Sequence, residues 1–180
     1  MRRSPALLAL ISAIVISLGA CADSTPDSFG AEQASVAEAA ALLTDGGFGC
    51  RLLVVAPPNG PESERCVWIA DSIALLGRGL MGITDPTLGG RDAMVFISGS
   101  PTTTAAFWMK DTLIPLTLVW VGTDGMVIGS TDMTPCDSET SRCPTFPPPE
   151  PYSMAIEVGV GRAAALGLVV GATVELGDPC

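Results

Sequence analysis

Histidine is absent from the 180-residue chain, and positively charged residues are few. Without histidine the protein lacks the commonest metal ligand, the usual general base near neutral pH, and every Ser–His or Cys–His nucleophilic pair. Charged residues make up only 16% of the chain, and acidic residues outnumber basic ones by 19 to 9. Because an acidic surface repels phosphate backbones, we expect no nucleic-acid partner. No Cys-x-x-Cys spacing occurs either, so we expect no metal site and no cofactor.

The first twenty residues have the layout of a signal peptide. Arg2 and Arg3 supply positive charge, and the apolar stretch 6–18 is shorter than the roughly 20 residues of a transmembrane helix. The segment Leu18-Gly19-Ala20-Cys21 resembles a bacterial lipobox, in which the cysteine thiol receives a diacylglycerol and becomes the new N-terminus. The alternatives are a plain secretory signal with a chance cysteine, or an uncleaved anchor. We expect an extracytoplasmic cell-envelope lipoprotein attached to the membrane through a lipid on Cys21.

The rest of the chain divides by composition. Residues 1–20 are the predicted signal peptide, 21–49 a flexible tether, and 50–180 a single β-rich domain. Within the tether, Ala31 to Leu43 could form a marginal helix that ends at Gly46-Gly47, because alanine favours helix but the apolar face is weak.

The five later cysteines predict disulfides, because export would place them in an oxidising compartment. Cys136 and Cys143 bracket a short polar loop, and Cys50 and Cys66 flank a predicted hairpin. We therefore expect the local bridges Cys136–Cys143 and Cys50–Cys66. Cys180 is then left over, and it could instead capture Cys50 or Cys66.

Apolar periodicity and turn residues predict an α+β, mainly β fold. Strands are expected at 52–56, 66–70, 93–97, 112–121, 126–130, 152–158 and 172–176. Asp71 or Ser72 could cap a short helix running to about residue 81, and Asp124-Gly125 is a hairpin signal. Pro115 argues that its strand is an edge or carries a bulge. The expected result is a small barrel-like or curled mixed sheet with two short helices.

Several strings in the chain match a known pattern. They are Arg78-Gly79-Leu80-Met81-Gly82, the ten residues from Phe107 to Leu116, Asp124-Gly125, Pro135-Cys136, Cys143-Pro144, Glu157-Val158, Gly161 and Gly167. With these strings, which span about residues 64–176, the chain resembles the bacterial and archaeal domain-of-unknown-function 192 family. The Trp-Met-Lys stretch is specific to that pattern, whereas an Asp-Gly turn is not.

The resemblance implies a compact β-rich domain, often exported, with no activity established for the family as a whole. It also supports the Cys136–Cys143 bridge, because members often carry that Pro-Cys and Cys-Pro pair. The chain departs from the family at two places. The family usually has Asn where Asp111 stands, and charged residues where 73–76 are apolar here.

The candidate ligand-binding residues are Arg78, Trp108, Lys110 and Asp111. Trp108 and Lys110 lie at i and i+2, so in a strand they share a face, and Lys110 is the only lysine. An aromatic ring beside a cation suits a sugar or a small anionic ligand. In the competing interpretation, residues 107–109 are core and the charges form salt bridges, Lys110 with a carboxylate and Arg78 with Asp71 or Glu157.

Three functions remain open. The first is a non-enzymatic module that binds a carbohydrate, a wall component or an envelope protein, and a pocket lined by Trp108, Lys110 and Arg78 would favour it. The second is a hydrolase of an envelope or extracellular polymer that uses carboxylates and Lys110, and it would need two of Asp71, Asp111 and Glu157 about 5–10 Å apart in one cleft. The third is a structural partner in an envelope complex, which a flat apolar patch without a cleft would favour.

Overall fold

The computed structural model describes residues 28–100, 102–137, 139 and 142–180. The predicted signal peptide and Cys21 lie outside these residues. The helices and strands run as follows: α1 Ser28–Asp45, β1 Gly49–Ala56, β2 Ser63–Ala70, α2 Ile73–Arg78, β3 Met94–Ile97, β4 Phe107–Trp108, β5 Leu116–Val121, β6 Val127–Met133, β7 Thr145–Phe146, β8 Met154–Gly159, a 3-10 turn Ala164–Leu166, and β9 Thr173–Pro179. The predicted α+β, mainly β class is confirmed. None of the described helices is long and apolar enough to cross a membrane.

Seven of the described strands form one mixed sheet in the order β6-β5-β8-β3-β2-β1-β9. Strands β2 and β3 are parallel, and the other neighbours are antiparallel. The two edges approach each other at one end, where Met126 of the β5–β6 turn bridges Thr173 of β9. The sheet is therefore curled, as expected, but over the described strands it stops short of a closed barrel. Strands β4 and β7 form a separate two-stranded ribbon.

Both faces of the central strands are covered. Leu116, Leu118 and Trp120 of β5 enter one apolar cluster, whereas Val119 and Val121 enter another on the opposite face. Successive side chains of β5 therefore point alternately into two separate apolar cores. The first cluster includes or contacts residues of α1, α2 and the β4–β7 ribbon, and the second includes residues of the 3-10 turn on the opposite face of the sheet.

Of the two expectations for the Pro115 strand, the edge position is wrong, whereas a register irregularity is present in its pairing with β6, between Trp120 and Val121 instead of at Pro115. Strand β5 begins one residue later, at Leu116, and lies between β6 and β8. Pro115 stands just outside the ladder, where its missing N–H costs no strand hydrogen bond. Its carbonyl still accepts a hydrogen bond from the Val160 N–H at 3.2 Å.

Helix α1 is longer and better packed than the tether prediction implied. Ala39 and Leu43 are buried in the first cluster, so the helix belongs to the domain although it lies within 21–49. Gly89 explains the close contact, because a Cβ added there would come within 2.7 Å of the Ala40 backbone. Alanine on one side and glycine on the other let the backbones approach, which a search for large apolar residues does not detect.

One predicted disulfide is confirmed and the other is wrong. Cys136–Cys143 forms, with the Cα atoms 5.8 Å apart, but Cys66 pairs with Cys180 and Cys50 is free. In the β1–β2 register Cys50 stands opposite Trp68, so Cys66 is only its diagonal neighbour. Diagonal pairs lie about 7–8 Å apart, which is more than a disulfide spans between Cβ atoms. The alternative in which Cys180 captures Cys66 is therefore the one observed.

Candidate functional site

The most specific sequence string is held in place by the disulfide loop. Phe107 and Trp108 pair with Phe146 and Thr145 as the β4–β7 ribbon. Beyond the ribbon, the backbone bends so that Lys110 and Thr112 each form an isolated β-bridge with Cys136. The Asp111 N–H between them donates to the Cys136 carbonyl at 2.7 Å. The Cys136–Cys143 bridge therefore anchors the segment that carries Trp108 and Lys110.

Asp111 lies at the bend, where the chain changes direction sharply. Its φ is +54°, in the left-handed region that Asn and Asp tolerate better than other side chains. Its carbonyl accepts a hydrogen bond from the Gly82 N–H at 2.9 Å. Asn and Asp both tolerate this conformation, and the contacts described here give Asp111 a backbone role. Its side chain does not line the cleft described below.

Trp108 and Lys110 are presented together at the surface. Trp108 is 50% exposed, and the Lys110 Nζ lies 5.8 Å from the centre of its ring. The expected shared face is therefore observed. Met109 between them is fully buried, so the core interpretation holds for Met109 but not for Trp108.

Behind Trp108, an apolar cavity of about 170 Å³ opens between α2 and the ribbon. We call it the aromatic cleft; it is lined by Leu76, Phe96, Ser98, Ala105, Ala106, Phe107, Trp108 and Tyr152. Phe107 packs edge-on against both Phe96 and Trp120, with ring centres 5.0 and 5.4 Å apart. The Tyr152 hydroxyl donates to the Ala105 carbonyl at 2.9 Å, and burial raises the pKa of this phenol. These contacts hold the wall and floor of the cleft in fixed positions.

The cleft continues into a smaller cavity of about 30 Å³, which we call the recess. Four residues line both cavities: Leu76, Phe96, Phe107 and Trp108. The recess is also bordered by residues 77–81, Thr112 and Glu157. Among the lining residues of the two cavities, Glu157 is the one that carries a carboxyl group.

Glu157 is the most unusual group in the site. It is only 4% exposed, in the middle of β8, between Met94 of β3 and Leu118 of β5. Within the described part of the chain its carboxyl has neither a hydrogen-bond partner nor an ion-pair partner. Burial alone raises the pKa of this carboxyl to about 8, because the charged form loses its hydration.

Arg78 borders the recess, but its charged end points elsewhere. The guanidinium Nη2 donates to the Leu42 carbonyl at 3.3 Å, and the guanidinium Cζ lies over the Phe48 ring, 5.6 Å from its centre. Arg78 therefore ties α2 to the last turn of α1. The ion pairs among the described residues join Asp92 to Arg65 and Arg162, so the expected pairs of Lys110 with a carboxylate, and of Arg78 with Asp71 or Glu157, are not observed.

Sequence reasoning missed Phe96 and Tyr152, and it named Glu157 only as a possible hydrolase carboxylate or ion-pair partner of Arg78. The alternation from 152 to 158 predicted a half-buried strand with Ser153, Ala155 and Glu157 on its polar face. In the structure Ala155 and Glu157 face the first apolar cluster, and β8 is buried on both sides. A carboxylate alone in an otherwise apolar strand was the available signal. Among the described residues, no cluster of three or more possible metal ligands is found.

Comparisons with known proteins agree with the resemblance. The chain matches the family DUF192, described as "Uncharacterized ACR", over residues 54–176. It is similar to a structure of a protein of unknown function from Novosphingobium aromaticivorans DSM 12444, at 29% identity and a TM-score of 0.59, covering 70% of this chain and 84% of that one. A putative transcription regulator from Sinorhizobium meliloti 1021 shares the fold, at 21% identity and a TM-score of 0.60, covering 72% and 95%. No curated protein matches. The chain belongs to the DUF192 family.

Proposed function

We propose that the protein is a lipid-anchored module of the cell envelope that binds a ligand in the aromatic cleft. The ligand is a carbohydrate, a wall component or a segment of another envelope protein. The observation that carries the proposal is the half-exposed Trp108 ring at the mouth of a preformed apolar cavity. Exposed tryptophan beside a concave apolar surface is typical of ligand sites.

The predicted leader and lipobox support the location. Two disulfides are consistent with it, because disulfides persist in oxidising compartments. An acidic protein is repelled by anionic headgroups, so attachment through a lipid on Cys21 would supply the membrane affinity that the surface lacks.

The geometry favours binding over the two alternatives. A carboxylate hydrolase needs a pair of acids in one cleft, and Asp71 and Asp111 do not line either cavity with Glu157. A purely structural partner would present a flat apolar patch, whereas the exposed Ile73 and Trp108 belong to segments on either side of a concave cleft.

The test is a titration of glycans and wall fragments into the full-length protein in detergent, followed by calorimetry. We expect Trp108→Ala to weaken binding about tenfold or more, because the ring loses its stacking contact. Lys110→Ala should weaken binding of anionic ligands most. Leu113→Ala is the matched control, because Leu113 is 48% exposed on the same segment and lines neither cavity.

If Trp108→Ala and Lys110→Ala remain folded and bind every ligand with wild-type affinity, the cleft is not the binding site. An effect of Leu113→Ala as large as that of Trp108→Ala would also contradict the assignment.

A further inference from the structure

Resting on the proposed function, we infer that the recess receives a protonated amino group of the ligand and that Glu157 is its counter-ion. The remainder of the ligand, an alkyl chain or a sugar ring, would then occupy the aromatic cleft and contact Trp108. The inference names the ligand chemistry that the cleft selects.

The first argument is the state of the carboxyl group. Burying a polar group without a partner costs a few kcal/mol, and native proteins leave few such groups unmatched. Glu157 is 4% exposed, and its carboxyl, which has no protein partner within the described residues, lines a cavity instead of lying in solid core. An ammonium group entering the recess would provide both an opposite charge and hydrogen-bond donors.

The second argument is size. A water-sized group needs a cavity of about 10–15 Å³, so the 30 Å³ of the recess accommodate one ammonium group. The recess leads into 170 Å³ bordered by Leu76, Phe107 and Trp108, which suit methylene groups. A small polar end joined to a wide apolar space fits an amine carried on an apolar stem or on the face of a ring.

The third argument is charge. The chain carries a formal net charge of −10, which attracts cations over long range. Phe107 and Trp108 line the recess together with Glu157, and aromatic rings attract cations.

The groups packed around Glu157 do not neutralise it. Its strand neighbours are Met94 of β3 and Leu118 of β5, and Thr112 lies on the ribbon side. Arg78 is the charged residue that shares the recess, and its guanidinium is engaged with the Leu42 carbonyl. Lys110 lines neither cavity.

The pH dependence follows from this environment. With a pKa of about 8 in the empty site, Glu157 is mostly protonated at pH 7 and mostly ionised at pH 9. An alkylamine stays protonated up to about pH 10. Binding an ammonium group therefore releases a proton at pH 7, and the affinity should rise about tenfold between pH 7 and pH 9.

The experiment is calorimetric titration of the full-length protein with n-butylamine and with n-butanol, its neutral analogue. We expect the wild type to bind the amine at least tenfold more tightly than the alcohol, with the pH dependence above. Glu157→Gln should lose both the preference and the pH dependence. Glu64→Gln, an exposed acid in a strand, should behave like the wild type.

Equal affinities for amine and alcohol, no amine binding, or an unchanged Glu157→Gln variant would overturn the inference. Glycan binding that depends on Trp108 but ignores the amino group would leave the proposed function intact while removing this inference. Amine binding that depends on Glu157, with no glycan, wall fragment or envelope protein bound, would support this inference and contradict the proposed function.

The amino group can belong to an amino sugar or to a lysine side chain. Separate titrations with glucosamine and with lysine amide blocked at its α-amino group distinguish the two sources, with N-acetylglucosamine as the neutral control. The tighter binder identifies the source. If glucosamine binds no better than N-acetylglucosamine and the lysine derivative does not bind, the recess does not accept an amine on a larger body.

Discussion

Glu157 and Asp111 are two acidic residues with different structural roles: the first is defined by the burial of its side chain, the second by its backbone conformation. Glu157 is a charged residue that the fold forces into an apolar environment, which raises the pKa of its carboxyl to about 8. Asp111 is a polar residue whose backbone, rather than its carboxyl, makes the recorded contacts, at a φ of +54°. The first residue costs stability and the second maintains the shape of the ribbon.

Glu157→Gln should stabilise the protein at alkaline pH. The folded state holds the Glu157 proton up to about pH 8, whereas the unfolded chain releases it near pH 4–5. The wild type therefore loses stability as the pH rises through this window, and the glutamine variant does not. We expect the variant to gain on the order of a few kcal/mol at pH 8.5 and little at pH 4. Urea unfolding at both pH values measures the difference, and an equal effect at both would contradict it.

Substitutions of Asp111 should separate backbone strain from side-chain chemistry. Asp111→Asn keeps tolerance of the left-handed region, so its stability should be near that of the wild type. Asp111→Val should cost about 1–2 kcal/mol, because a β-branched side chain clashes there. Thermal unfolding of both variants is the measurement. If the two variants are equally destabilised, the carboxylate rather than the backbone is responsible.

The two disulfides hold different parts of the fold together. Cys136–Cys143 closes a loop of a few residues and fixes the segment that carries Trp108. Cys66–Cys180 spans 114 residues of sequence and ties the end of β9 to β2, near the edge of the sheet. The first acts on the site, and the second acts on the whole sheet.

Removing each bridge should therefore have a different effect. Cys180→Ser should cost more stability, about 4–5 kcal/mol against about 2–3 kcal/mol for Cys143→Ser, because the longer loop constrains the unfolded chain more. Cys143→Ser should instead expose more of the Trp108 ring, seen as quenching by iodide. Trp68 and Trp120 are buried, so they contribute little to that signal. A larger stability loss for Cys143→Ser would contradict this assignment.

Peptide mapping without reduction checks the pairing itself. We expect a Cys66–Cys180 peptide and a Cys50 that reacts with maleimide, because Cys50 is free and partly exposed. A Cys50–Cys66 peptide as the main product would show that the terminal bridge does not persist.

At the scale of the molecule, α1 and the predicted anchor decide where the cleft can act. Helix α1 is part of the core, so residues 28–45 do not belong to a flexible tether. The proposed lipid on Cys21 would then hold the domain within a few nanometres of a membrane. The expected ligands are consequently components of the envelope itself.

Cys21→Ser should abolish lipid attachment. Labelling of cells with a clickable fatty acid should modify the wild type and Cys50→Ser equally, because both retain the lipobox cysteine. Cys21→Ser should remain unlabelled and appear in the soluble fraction. Equal labelling of all three proteins would eliminate the lipoprotein proposal.

The features that the sequence by itself determined are those set by neighbouring residues. Alternating apolar residues and an Asp-Gly turn specified the hairpins, Ser72 capped α2 as expected, and the seven-residue separation of Cys136 and Cys143 specified their bridge. The family strings agreed with the mainly β class. The hairpins, the helix cap and this bridge each depend on contacts between residues that are close in the sequence or that lie in one pair of strands.

The features that only the tertiary structure decided depend on residues far apart in the chain. Cys180 reaches Cys66 because the last strand returns beside the first, and α1 packs because Gly89 admits its backbone. Glu157 is buried because helices and the ribbon cover the face of β8 that alternation assigned to solvent. Whether one face of a sheet is covered depends on segments that are distant in the sequence, and the local alternation of apolar and polar residues does not indicate it.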